Sequence, residues 1–251
     1  MSEAAPDAQR VVVVHPDADL LARAAGARFL LTLLDEQSVR TPVHVALTGG
    51  TIGTAMLRAA AEDPLRDVVD WSGVHVWWGD ERYGPAGHAD RNETQAREAL
   101  LDALPIPAEN VHPVPGPDVV GSLEEAAQAY TAELRAHAPE GAELPDLAVV
   151  LLGVGPDAHV ASLFPGKPSL GVAGFGALAE ADSPKPPPER ISLTLASLCA
   201  GRQVWLLAAG SEKAPAVAAA LGGAASDEAP AGSVHGRVAT LWLLDAAAAA
   251  G

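Results

Sequence analysis

Leu147-Ala148-Val149-Val150-Leu151-Leu152, followed by Gly153-Val154-Gly155-Pro156-Asp157-Ala158-His159, is the stretch that decides the fold. The apolar run is too short for a core helix and shows no polar alternation, so it reads as a strand buried on both faces. Such a strand lies inside a parallel sheet and delivers the loop after it to the carboxyl edge, where open α/β sheets bind ligands. That loop holds too many glycines to be packing filler. An Asp two residues before a His within it reads as a positioned general base. The plainer alternative is a turn in which Asp157 caps a helix that starts at His159.

Apolar runs alternate with helical patterns on both sides of this stretch. Strands are expected at Val11–Val14, Val43–Leu47, Val74–Trp78, Ile191–Leu193, Val204–Ala208 and Val238–Leu244, with an extended piece at Val111–Val114. Helices are expected after His15-Pro16-Asp17 to about Leu34, around Ala55–Ala61, and across Glu93–Leu104, Leu123–Ala138 and Lys213–Leu221. Strands alternating with helices of this length require crossover connections. They imply an α/β fold: a mostly parallel, Rossmann-like sheet with helices on both faces. No internal repeat is visible. Ser183–Pro188 reads as a stiff connector too central to divide the chain, so residues 1–251 are expected to form a single domain.

Composition narrows the function. A chain of 251 residues can bury one sizeable core. No apolar run approaches the roughly 18 residues that span a membrane, and Met1 to Gln9 is polar and acidic, unlike a signal peptide. One cysteine, Cys199, excludes an internal disulfide and suits a reducing, cytoplasmic setting. A net charge of −16 argues against nucleic acid as a partner. It also repels small anions, so an anionic ligand would need a local cluster of cations. Only three lysines exist to help build one: Lys167, Lys185 and Lys213. The histidines besides His159, namely His15, His44, His75, His88, His112, His137 and His235, show no ligand spacing such as His-x-x-x-His, and no metal is expected.

Four further segments stand at strand ends. Thr48-Gly49-Gly50-Thr51 lies between a strand and a helix, where paired glycines let backbone N–H groups approach an anion at the helix N-terminus. It is not a Walker loop, since no Gly-Lys-Ser/Thr follows. Trp78-Gly79-Asp80-Glu81-Arg82-Tyr83 places three charges directly after an apolar strand, and charges so placed need a partner or a ligand. Arg190 opens Ile191-Ser192-Leu193-Thr194-Leu195. Lys213 stands in Gly210-Ser211-Glu212-Lys213-Ala214 at the mouth of a helix.

The loop from Gly153 to His159, continued by Ala161-Ser162-Leu163-Phe164-Pro165-Gly166, resembles the Gly-x-Gly-x-Asp-Gly-His loop of 6-phosphogluconolactonases. Their relatives, the glucosamine-6-phosphate deaminases, carry an Asn-Glu-Pro stretch after that loop, whereas this chain has no acid between His159 and Glu180. The Thr48–Thr51, Trp78–Tyr83, Arg190 and Gly210–Ala214 segments are similar to lactonase motifs in the same order, and Asn92 matches a Ser-Asn element. The resemblance implies the α/β fold of sugar-phosphate deaminases and isomerases. It also implies hydrolysis of 6-phospho-D-glucono-1,5-lactone, in the oxidative pentose phosphate pathway, without a cofactor. His159 would activate water and Asp157 would orient it, while backbone N–H groups of the Gly153–Ala158 turn would face the oxyanion. Thr48, Gly49, Gly50, Thr51, Arg82, Arg190 and Lys213 would hold the phosphate. Asp80 would order its loop or touch sugar hydroxyls, and Glu81 stays unassigned.

Two residues depart from the family pattern: Ala158 replaces the usual Gly, and Val160 replaces a common Thr. With no compensation visible nearby, Ala158 is expected at negative φ. Two other functions stay open, an amino-sugar-phosphate deaminase or isomerase and a non-catalytic sugar-phosphate-binding protein. The expected partner is a small sugar-phosphate lactone, with no nucleic acid or membrane, and the chain is expected to be a monomer or weak homodimer.

Overall fold

The structure, a computed structural model, describes residues 9–251, so the reading of the acidic N-terminus falls almost wholly outside the described residues. In chain order the strands are β1 (Gln9–His15), β2 (Val43–Leu47), β3 (Val74–Trp78), β4 (Asp80–Arg82), β5 (Leu147–Gly153), β6 (Ala177–Glu180), β7 (Arg190–Leu193), β8 (Gln203–Ala208) and β9 (Ala239–Asp245). The helices are α1 (Ala18–Gln37), α2 (Gly50–Glu62), α3 (Asn92–Ala99), α4 (Leu123–Ala136), α5 (Leu195–Cys199) and α6 (Ala214–Leu221).

Six strands form one wholly parallel sheet in the order β1-β9-β8-β5-β2-β3. The central strands are the β-branched and leucine-rich runs. β2 is buried at every position and β5 at all but its last, because helices cover both sheet faces. α1, α2 and α3 pack one face through Phe29, Leu33, Met56 and Ala96. α4, α6 and the second sheet cover the other, through Tyr130, Leu134, Val217 and Ile191. α1 crosses α2 at Gly26, where a Cβ would stand 2.9 Å from the α2 backbone, so only glycine permits this contact. Asp17 and Ser122 start α1 and α4 by accepting hydrogen bonds from the N–H groups of Leu20 and Glu125.

The predicted strands and helices are found close to their expected bounds, except that α2 starts five residues earlier, at Gly50, and α3 ends at Ala99 and passes into a short 3-10 turn at Leu101–Ala103. The additions are short. β4, β7 and β6 form a separate antiparallel sheet in that order. The charged Asp80–Arg82 run is therefore itself a strand, because β7 supplies its backbone partners. No helix begins at His159; Val160 instead bridges Leu163. Among the described residues, no helix is long and apolar enough to cross a membrane.

One feature runs against the sequence reading. His44 and His75 lie in register on β2 and β3. His112, whose N–H donates to the Val76 carbonyl, and His137, at the end of α4, meet them. Lack of ligand spacing along the chain thus did not mean lack of clustering in space. Burial first, and then the neighbouring rings, bring His44 down to about 3. Its ring stays neutral and accepts a hydrogen bond from Trp77 Nε1.

Candidate active site

From β2 the chain moves outward to β3, whereas from β5 it moves the opposite way to β8 and β9. The crevice between the loops after β2 and β5 is therefore the topological switch point of the sheet. A cleft of about 860 Å³ opens there, lined by the segments after β1, β2, β3, β5 and β8 and by Asp245 at the end of β9. Every residue assigned to the site from sequence, with the exception of Asp157, lines this cleft. Asp157 stands directly behind its His159.

The loop after β5 is a three-residue turn. Ala158 N–H donates to the Gly155 carbonyl and Gly155 N–H to the His159 carbonyl, with Pro156 and Asp157 at the corners. A turn of this kind ends in a left-handed residue, a place glycine favours. Ala158 occupies it at φ 62°, which overturns the expectation of negative φ. Ala161 is also left-handed, at φ 49°. Left-handed alanines flank the histidine, and the turn's hydrogen bonds hold the first of them there. Val160 is fully buried in the apolar core, where its methyl packs. Gly155 is required: a Cβ on it would fall 1.9 Å from His159 Nδ1.

The result is a histidine–carboxylate pair. Asp157 Oδ1 lies 2.5 Å from His159 Nδ1, and the imidazole leans on Phe164 with ring centroids 4.6 Å apart. With Nδ1–H given to Asp157, the lone pair sits on Nε2. Burial alone would raise the Asp157 carboxyl. The hydrogen bond from His159 and the charges of His159 and Lys185 outweigh it and hold the group well below the usual carboxylate range. Of the turn N–H groups expected to face the oxyanion, only that of Asp157 is not given to another residue. Gly153, Val154, Gly155 and Ala158 donate to Thr48 Oγ1, Leu207, His159 and Gly155 respectively, and Pro156 has no N–H.

Lys185 is the residue sequence reasoning missed. Its Nζ stands 3.4 Å from Asp157 Oδ1 and 3.2 Å from His159 Nδ1. Since the Nδ1 proton points to Asp157, the lysine's bond is to the carboxylate. Its segment is held by Arg190, whose guanidinium donates to the carbonyls of Lys185, Pro186 and Pro187. The stiff proline run is thus a strap that carries a cation to the histidine. The available signal was that a rare lysine sat inside it.

The remaining cations converge from other elements. Arg82 and Arg190 are directly opposed across β4 and β7. Like charges so paired destabilise a sheet unless an anion lies between them. Lys213 stands at the N-cap of α6, and burial followed by the charge of Lys185 lowers its pKa, a sign that the cleft crowds cations. Asp245 fixes the approach to Lys213 by accepting the Gly210 N–H at 3.1 Å on each oxygen. Thr48 to Thr51 put the uncapped N-terminus of α2 on the cleft wall, beside Asn92. A Cβ on Gly49 would strike Asn92 Oδ1 at 1.9 Å.

The acids of the β4 segment face inward as braces. Asp80 accepts from Ser162 Oγ at 2.7 Å and from Asn92 Nδ2 at 3.3 Å, which ties the histidine loop to β4. Glu81 is fully buried and accepts the N–H groups of Arg82, Asn92 and Glu93 at 2.7–2.8 Å.

Fold and cleft together define a doubly wound α/β protein with cations and a histidine–carboxylate pair at its switch point. The sequence pattern of the glucosamine-6-phosphate isomerases/6-phosphogluconolactonase family matches residues 16–242, and the chain belongs to that family. It is 51% identical over 242 residues to a 6-phosphogluconolactonase of Streptomyces coelicolor, covering 95% of this chain and 93% of that one. It is 44% identical to a 6-phosphogluconolactonase of Mycobacterium tuberculosis, covering 95% and 97%. A solved 6-phosphogluconolactonase from Trypanosoma brucei superposes with a TM-score of 0.83 at 28% identity, over 97% and 99% of the chains.

Proposed function

We propose that this chain is a single-domain enzyme that hydrolyses 6-phospho-D-glucono-1,5-lactone to 6-phospho-D-gluconate. The observation that carries the reading is the His159–Asp157 pair, 2.5 Å apart, set in the same cleft as two opposed arginines and two lysines. Relatives of that name over nearly the whole chain support it.

In this mechanism the phosphate lies among Arg82, Arg190, Lys213 and the N-terminus of α2, with Arg190 offering Nη1, the nitrogen that takes no part in its bonds to the strap. Binding the phosphate holds the lactone carbonyl beside His159. Nε2 of His159 takes a proton from the attacking water, while Asp157 stabilises the imidazolium that forms. Lys185, bonded to Asp157, places its ammonium where it stabilises the negative oxygen of the tetrahedral intermediate. Collapse of that intermediate breaks the ring C–O bond, and the imidazolium returns its proton to the leaving hydroxyl.

The deaminase reading needs a carboxylate in the stretch after His159. Glu180, the first acid there, is committed to Ser169 Oγ and the Asp182 N–H. We place the protein in a reducing cytoplasm, as a monomer or weak homodimer; Cys199 is free. The test is lactone hydrolysis against the spontaneous rate, with ammonia release from glucosamine 6-phosphate measured in parallel. His159→Ala is expected to lower kcat by about 10²-fold or more with product binding retained. A variant that keeps more than about a tenth of wild-type kcat removes His159 as the base.

A further inference from the structure

We propose that His75, His112 and His137 form a site for a divalent late-transition ion of the Zn²⁺ class, remote from the cleft. One ring nitrogen from each lies within 4.8 Å of the others. The cluster forms near the start of β3, whereas the cleft forms beyond the ends of the strands. It draws on three separate elements: β3, the segment after Val111, and the end of α4.

The hydrogen bonds around the cluster orient the rings as ligands. Glu133 Oε1 lies 2.9 Å from His112 Nδ1, and the Glu133 carbonyl lies 3.0 Å from His137 Nδ1. Both Nδ1 atoms therefore carry protons, and both Nε2 atoms carry lone pairs. Metal-bound histidines are commonly held this way, by a carboxylate or carbonyl on the far nitrogen. His112 Nε2 faces His75 Nδ1 at 2.9 Å, and two lone pairs cannot face each other at that distance. A proton now sits between them on His75. A cation replaces it when the neutral His75 ring moves its proton to Nε2, with no change in charge.

The dimensions suit the ion. Zn–N bonds of about 2.0–2.1 Å in a tetrahedron put ligand nitrogens about 3.3 Å apart. The close pair must open by a few tenths of an ångström and His137 must swing inward. His137 can do so, since its side chain is 30% exposed at the helix end. His112 is locked, stacked on Trp77 with centroids 3.8 Å apart. The exposed side leaves a fourth position for water, the pattern of three imidazoles with one open coordination site. His44 contributes no ligand, because its Nδ1 accepts the Trp77 Nε1–H at 3.1 Å and the proton of the neutral ring is therefore on Nε2.

The experiment is calorimetric titration of the untagged full chain with ZnCl₂, with anomalous diffraction at the zinc edge to locate the ion. One equivalent is expected to bind at this cluster and to raise Tm, since an ion that binds only the folded state stabilises it. His137→Ala should abolish the Tm rise and leave lactone hydrolysis unchanged. Glu133→Ala, at a half-exposed helix position, should weaken binding by about 10–100-fold. The proposal is overturned if the wild type binds no stoichiometric zinc. It is equally overturned if binding survives His137→Ala, or if the anomalous peak lies beside His159.

Discussion

Asp157→Asn isolates the charge behind His159 while keeping the side chain's shape. The carboxylate sits 2.5 Å from Nδ1 and is shared with Lys185 at 3.4 Å. The lysine draws the amide oxygen of the variant inward, so Nδ1 keeps its proton and its tautomer. What is lost is the charge that stabilises the imidazolium in the transition state. A hydrogen bond to a charged group contributes about 1–1.5 kcal/mol more than the same bond to a neutral one. At 1.36 kcal/mol per decade, kcat is expected to fall by about 5–13-fold. KM should hold, because Asp157 stands behind His159 and does not line the cleft. The depressed Asp157 carboxyl is ionised well below its ordinary value. Its share of stability is present above about pH 4 and is lost only as pH falls further, through the folded value. The kcat deficit should accordingly be constant from about pH 5 upward as far as Asp157 is concerned. Steady-state lactone hydrolysis, corrected for the spontaneous reaction, measures both quantities. A kcat loss smaller than about threefold, or a loss confined to KM, would refute the reasoning.

Other outcomes follow from the same geometry. Arg82→Ala and Lys213→Ala should each weaken 6-phosphogluconate binding, with the loss shrinking for unphosphorylated gluconate; equal losses in a calorimetric titration would show that neither reads phosphate. Ala158→Gly relieves about 1 kcal/mol of left-handed strain. It also removes a buried methyl worth about 0.8 kcal/mol and adds about 0.4–1 kcal/mol of unfolded-chain entropy. Denaturant unfolding should therefore show a net loss of about 0.2–0.8 kcal/mol, and a gain in stability would contradict the packing of that methyl. Glu81→Gln keeps an amide oxygen for the N–H groups of Arg82 and Asn92 but sets its NH2 against the N–H of Glu93, and should cost about 1–3 kcal/mol in urea unfolding; a neutral result would mean that the carboxylate is not their acceptor.

The sequence by itself determined the parallel sheet and the identity of most cleft residues. A long β-branched or leucine run bounded by glycine has one stable place, between helix-covered faces, and the loop after it must open at the carboxyl edge. That local physics placed Thr48–Thr51, the charges after β3 and His159 at this edge, and the resemblance to lactonase motifs singled out Arg82 and Lys213, all without any knowledge of packing. It could not show that Asp80–Arg82 is a strand, because β4 exists only through β7, whose pairing sets Arg82 against Arg190. It could not bring Lys185 to Asp157, because Arg190 fixes that strap from outside it. The sign of φ at Ala158 was decided by turn hydrogen bonds to Gly155, which override alanine's own preference. The histidine cluster is the same lesson at longer range. His75, His112 and His137 carry no common spacing, and only the register of β3 with its neighbours and the docking of α4 make them one group. Local propensity acts over a few residues, whereas these contacts are chosen by burial of the whole core, which a single stretch of chain does not encode.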